Sequence, residues 1–133
     1  MANNLSTVLC IEDEPEMIEL FRLILGRNNY NVVGAISGEE GLIKAAEIRP
    51  DLILLDLMMP EMDGWEVCQR LRANEDLRDI PVIVVTAKGQ TIDRVLALRV
   101  ARVSSYITKP FGPQELLESV NGVLRSETAE SAR

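Results

Sequence analysis

The chain has 133 residues, 47% of them hydrophobic but only 4% aromatic, with a formal net charge of −7 and no histidine. That length suits one domain able to bury an aliphatic core without disulfides or metals to staple it. The missing histidine excludes His-based catalysis and His-ligated metals within the chain, and the acidic balance argues against direct nucleic-acid binding. No apolar stretch reaches membrane-span length and no secretory signal pattern opens the sequence, so a cytoplasmic protein without membrane contact is expected.

In chain order, five short apolar runs occur at 8–11, 32–36, 52–55, 80–85 and 106–107, with stretches of helical length between them. After the first run, Met17, Ile18, Phe21, Ile24 and Leu25 share one helical face. Leu42, Ala45 and Ala46 do so after the second, and Val67, Cys68 and Leu71 after the third. Ile92, Val95 and Leu96 are expected to form the inner face of a fourth helix. Leu116, Leu117, Val120 and Val123 mark a fifth, opened by Pro113, whose ring suits a first helical turn. Strands alternating with helices predict a doubly wound α/β fold, a five-stranded parallel sheet with helices on both faces. Pro81 fits only at the start of its strand. Cys10 and Cys68 read as buried free thiols. Residues 1–125 form the expected domain, and the small, polar stretch 126–133 reads as a frayed tail or the start of a linker.

The acidic charge is uneven. Residues 1–66 carry 13 acids and 4 bases, net −9, whereas residues 67–133 carry 8 acids and 10 bases, net +2. In a doubly wound sheet, ligand chemistry gathers at the carboxyl ends of the strands. Glu12 and Asp13 fall there after the first strand, Asp56 after the third, Thr86 after the fourth and Lys109 after the fifth. Three crowded carboxylates repel one another, and an oxygen-only donor set favours a hard cation such as Mg²⁺. Lys109 would pair with Asp56, and Thr86 could donate a hydrogen bond to an incoming anion. A carboxylate beside Mg²⁺ and lysine can attack a phosphoryl group. Each piece alone has an ordinary explanation: Glu-Asp as a turn or helix cap, Thr as a strand former, Lys-Pro as a chain exit. Their joint occurrence at four strand ends is the signal.

Ile11-Glu12-Asp13-Glu14, Asp56-Leu57-Met58-Met59-Pro60-Glu61-Met62-Asp63-Gly64, Val85-Thr86-Ala87 and Tyr106-Ile107-Thr108-Lys109-Pro110-Phe111 resemble the response-regulator receiver domain of two-component signalling, over about residues 6–125. The resemblance implies a flavodoxin-like receiver fold in which Asp56 accepts a phosphoryl group from a sensor histidine kinase, a phosphotransfer protein or a small phosphodonor. It implies Mg²⁺ held by Asp13, Asp56 and the Met58 backbone carbonyl, with Glu12 acting mostly through water. Thr86 and Lys109 would hold the phosphate, and Lys109-Pro110 would be a cis peptide. Thr86 and Tyr106 would couple the phosphate to a surface of the fourth helix, fifth strand and fifth helix that controls a protein partner. Met58 and Lys88 would flank the phosphate and influence its lifetime.

The chain departs from the family pattern where Arg102-Val103-Ser104-Ser105 replaces the common Gly-Ala-Asp-Asp. Without the glycine, Arg102 is expected to sit strained or the helix to end differently. Without the two acids, the dimer pairing of winged-helix regulators is not expected. Arg94, Arg99 and Arg102 read either as a solvated face or as a basic strip for an acidic partner. A haloacid-dehalogenase-type phosphatase is disfavoured because Met58 stands where its acid/base aspartate belongs. A phosphorylation-independent interaction module of the same fold is the alternative reading. The expectation is therefore a signalling domain rather than an enzyme.

Overall fold

The computed structural model describes residues 5–87 and 91–131, with side chains through 126. Five parallel strands, β1 (Ser6–Ile11), β2 (Tyr30–Ala35), β3 (Leu52–Leu55), β4 (Val82–Thr86) and β5 (Ser105–Thr108), lie in the order β2-β1-β3-β4-β5. Every residue of β3 and β4 is buried, as strands covered on both faces should be. Pro81 directly precedes β4 and its carbonyl accepts from the Ile53 N–H at 3.0 Å, so its missing donor costs the ladder nothing.

The helices are α1 (Pro15–Gly26), α2 (Gly38–Ile48), α3 (Gly64–Ala73), α4 (Thr91–Val95) and α5 (Pro113–Ser131), with a π-helical turn, Leu96–Val100, directly after α4. In α1 the expected face is inward, with Ile18, Phe21, Ile24 and Leu25 buried. Each such side chain contributes about 1.5–3 kcal/mol on leaving water. Phe21, Ile24 and Leu25, together with Cys10, Leu52, Leu54, Ile83, Leu116 and Val120, form the core on one side of the sheet. Leu9, Ile53, Leu55, Val67, Cys68 and Leu71 anchor the core on the other. Ala45 of α2 is buried, whereas Ala46 faces solvent. Helix α2 is capped by Ser37, whose hydroxyl accepts from the Glu40 N–H at 3.1 Å, and α3 by Asp63, which accepts from the Glu66 N–H at 3.0 Å.

Two expectations need correction. Ile92, Val95 and Leu96 are exposed, by 59%, 42% and 40%, and the residues this segment buries are Asp93 and Ala97. The α4 helix is only one turn long before it widens into the π turn, so a face assigned by a regular 3.6-residue period does not persist. At the other end, α5 continues through residues 126–131, so most of the expected polar tail is helical. Lys88 lies outside the described residues.

Of the two expectations for position 102, the strained backbone is observed. The helix ends in a π turn, and Arg102 adopts a left-handed backbone with φ 57°, which costs an ordinary side chain about 1–2 kcal/mol. Arg72 of α3 braces this loop. Its guanidinium donates to the carbonyls of Arg78 (2.7 Å), Ile80 (3.2 Å), Ala101 (3.4 Å) and Arg102 (3.2 Å), tying the α3–β4 connection to the end of the π turn.

Candidate functional site

The sheet order reverses direction between β1 and β3, where a doubly wound sheet opens a crevice at its carboxyl edge. The ladder continues past the strand ends there: the Glu12 N–H donates to Ala35 at 2.9 Å and the Asp56 N–H to Ile11 at 3.1 Å. These bonds fix the backbone of both acids to the rigid sheet. As a result Glu12, Asp13 and Asp56 each bring a carboxylate oxygen within 4.8 Å of the others. Glu12 is 1% exposed and Asp56 5%, while Asp13 is half-buried.

Lys109 supplies the positive charge. Its N–H donates to the Thr86 carbonyl at 2.9 Å, the Lys109-Pro110 peptide is cis, and its Nζ reaches Glu12 at 2.7 Å and Asp56 at 3.2 Å. Thus the sequence expectation of a Lys109–Asp56 contact describes the longer of two bonds. Glu14, which the sequence reading did not single out, stands 3.8 Å from the same ammonium. Its position beside the Glu12-Asp13 pair was the available signal.

The loop after β3 shapes the other wall. The Met58 N–H donates to Asp56 Oδ1 at 3.0 Å, while the Met58 side chain is exposed. Gly64 starts α3 against this loop, and a Cβ there would stand 2.5 Å from the Asp56 carbonyl oxygen and 2.6 Å from Leu57 Cα. Only glycine permits that approach. Thr86 ends β4 fully buried, paired in register with Thr108. Tyr106 is buried in β5, and the Arg94 guanidinium lies 5.1 Å from its ring centre while bonding the Tyr106 carbonyl at 3.4 Å. Arg94 therefore turns onto β5 and leaves the basic strip read from the sequence.

Electrostatics follow from this crowding. Burial pushes the Glu12 carboxyl up to about 7; the Lys109 hydrogen bond opposes that push and the Asp56 charge adds to it. Burial works to lower the Lys109 ammonium, but its bond to Glu12 and the charges of Asp56 and Glu12 outweigh burial and hold it above the ordinary lysine value. Away from the site, burial raises both thiols, Cys68 to about 11, consistent with inert core cysteines. No described helix is long and apolar enough to cross a membrane.

Comparison with known proteins gives the same picture. The family model described as "Response regulator receiver domain" matches residues 8–121. The chain is 42% identical over 118 residues to the DNA-binding dual master transcriptional regulator RpaA of Synechocystis, covering 89% of this chain and 48% of that protein. It is 41% identical to the alkaline phosphatase synthesis transcriptional regulatory protein PhoP of Bacillus subtilis, with the same coverage. The chain thus spans about half the length of these curated relatives. Among solved structures, the N-terminal domain of a response regulator receiver protein from Methanoculleus marisnigri is 38% identical with a TM-score of 0.74, covering 91% of this chain and 98% of that one. A putative response regulator from Chloroflexus aurantiacus is 31% identical with a TM-score of 0.86, covering 92% and 99%. An acidic pocket of Glu12, Asp13 and Asp56 on this fold is that of a phosphoacceptor signalling module rather than an enzyme. The chain belongs to the response-regulator receiver domain family of two-component signal transduction.

Proposed function

We propose that Asp56 accepts a phosphoryl group from a cytoplasmic sensor histidine kinase, a phosphotransfer protein or a small phosphodonor, and that the modified domain controls a protein partner through α4, β5 and α5. The observation that carries this reading is the convergence of three carboxylates and one ammonium at the carboxyl edge of the sheet. A carboxylate oxygen of Asp56 attacks phosphorus, the bond to the donor breaks, and the donor leaves with that electron pair as acetate or a neutral imidazole. Lys109 and Thr86 then hold the new phosphoryl oxygens.

The acidic cluster fits a hard divalent cation, since its donors are all oxygens and their mutual repulsion is only partly offset by Lys109. Asp13, Asp56 and the Met58 carbonyl would hold Mg²⁺, with Glu12 outside them acting through water. Bound there, the ion supplies charge neutralisation for the phosphoryl oxygens. Thr86 and Tyr106 carry the change onward, because β4 and β5 pair in register beside the site. To invert a 1:99 equilibrium the phosphoryl group must favour the active arrangement by about 5.5 kcal/mol.

Intact mass after incubation with acetyl phosphate tests this reading. A Mg²⁺-dependent gain of one phosphoryl group, absent in Asp56→Asn, is expected. A folded chain that gains nothing and binds no Mg²⁺ is instead a phosphorylation-independent interaction module.

A further inference from the structure

The segment from Thr91 to Arg102 has an unusual surface for so acidic a protein. Its exposed side chains are Thr91, Ile92, Val95, Leu96, Leu98, Val100 and three arginines, whereas its single acid, Asp93, is only 7% exposed. Val100 is exposed by 72%. Leu96 and Val100 form one wall of a groove of about 450 Å³ whose other wall is α3, with Trp65 and Cys68. A second cavity of about 590 Å³ shares Arg72, Val100 and Ala101 with this groove and adds Arg78 and Arg102, with Asp79 as its one acid. An apolar groove therefore adjoins a basic one across shared residues.

We infer that this α3–α4 trough docks an acidic amphipathic segment of a partner protein, which seats an apolar side chain against Trp65, Leu96 and Val100 and sets its carboxylates on Arg102 and Arg78. Charge decides the occupant. Two copies meeting face to face through this surface would oppose the same arginines across a two-fold axis, which repels. Arg72 is occupied by four carbonyls and serves as the floor, which leaves Arg78 and Arg102 to meet the partner. The acidic, apolar chemistry of the occupant rests on this surface alone and not on the function proposed above.

Trp65 is the single tryptophan, so its fluorescence reads the groove directly. The full chain would be titrated with a synthetic helical peptide carrying leucines on one face and glutamates on the other. Matched peptides with glutamine or lysine for glutamate, and phosphatidylserine vesicles, complete the panel. Saturable binding of the glutamate peptide is expected, about tenfold weaker for the glutamine peptide and weakened by salt. Leu96→Gln and Arg102→Glu, both at exposed positions and checked for fold by circular dichroism, should each reduce it. Equal binding of the glutamate and glutamine peptides overturns the inference, as does binding to vesicles alone or a dimer in sedimentation that ignores the peptide. A chain that takes up phosphoryl groups yet ignores the glutamate peptide overturns this inference and leaves the phosphoacceptor reading standing.

Discussion

Lys109 gives its shortest hydrogen bond to Glu12, at 2.7 Å, although the two residues lie 97 positions apart in the chain. The ammonium is thus the internal counter-ion of a buried carboxylate as well as a neighbour of Asp56. Lys109→Met should destabilise the metal-free protein, but by less than the roughly 3–5 kcal/mol typical of a broken buried pair, because Glu12 can take up a proton. Denaturant melts with and without Mg²⁺ check this: the loss should grow above neutral pH and shrink when the cation is added.

The Glu12 carboxyl makes stability pH-dependent with a definite sign. Its folded-state value is about 7 against an ordinary 4.5, so between those limits the folded chain holds a proton that the unfolded chain has lost. Its contribution is therefore fully present below the lower value and is lost as pH rises through the upper one. In chelator, this group should lower the melting temperature as pH rises from about 4.5 to about 7, and Glu12→Gln should flatten that slope. Mg²⁺ affinity should rise over the same window as the competing proton leaves.

Gly64→Ala tests how closely α3 is set against the Asp56 loop. The added methyl meets backbone atoms at 2.5 and 2.6 Å, and backbone yields less readily than a side chain. The gain in helix propensity, about 1 kcal/mol, offsets only part of an overpacking cost of about 1–3 kcal/mol. A lower melting temperature together with slower uptake from acetyl phosphate is expected. Loss of stability with unchanged uptake would mean that the loop moves without disturbing Asp56.

Arg72→Met should cost about 2–3 kcal/mol, since it leaves four carbonyls without their shared donor. Hydrogen exchange should quicken at 101–104 and at 78–80 together, because one side chain braces both loops. Quickening in only one of them would show that the two loops are held separately.

Much of the fold was legible in the sequence because it rests on local periodicity. The runs at 8–11 and 52–55 lie within or coincide with their strands, and the α1 face from Ile18 to Leu25 is buried as its spacing implies. The acids of the site were legible for the same reason, since a strand end fixes where the next residue stands. What sequence could not supply was the ranking of partners around Lys109, which depends on how β1 and β5 face each other across β3 and β4. Nor could it supply the outward turn of Ile92, Val95 and Leu96. Those residues obey a helical spacing, and only the widening of the helix after Val95 and the packing of Asp93 and Ala97 decide which side is covered.

The π turn at Leu96–Val100 governs how this surface can be altered. A π turn accommodates one residue more than an α-helical turn, and each α-helical residue advances about 100° around the axis. Deleting a single residue there, such as Leu98, would let the backbone relax to a continuous α-helix and swing Arg99, Val100 and Arg102 around the axis relative to α3. The display of aliphatic and basic groups is thus governed by phase as much as by composition: a one-codon deletion could redraw the surface while leaving the acidic pocket at the opposite end of the sheet untouched.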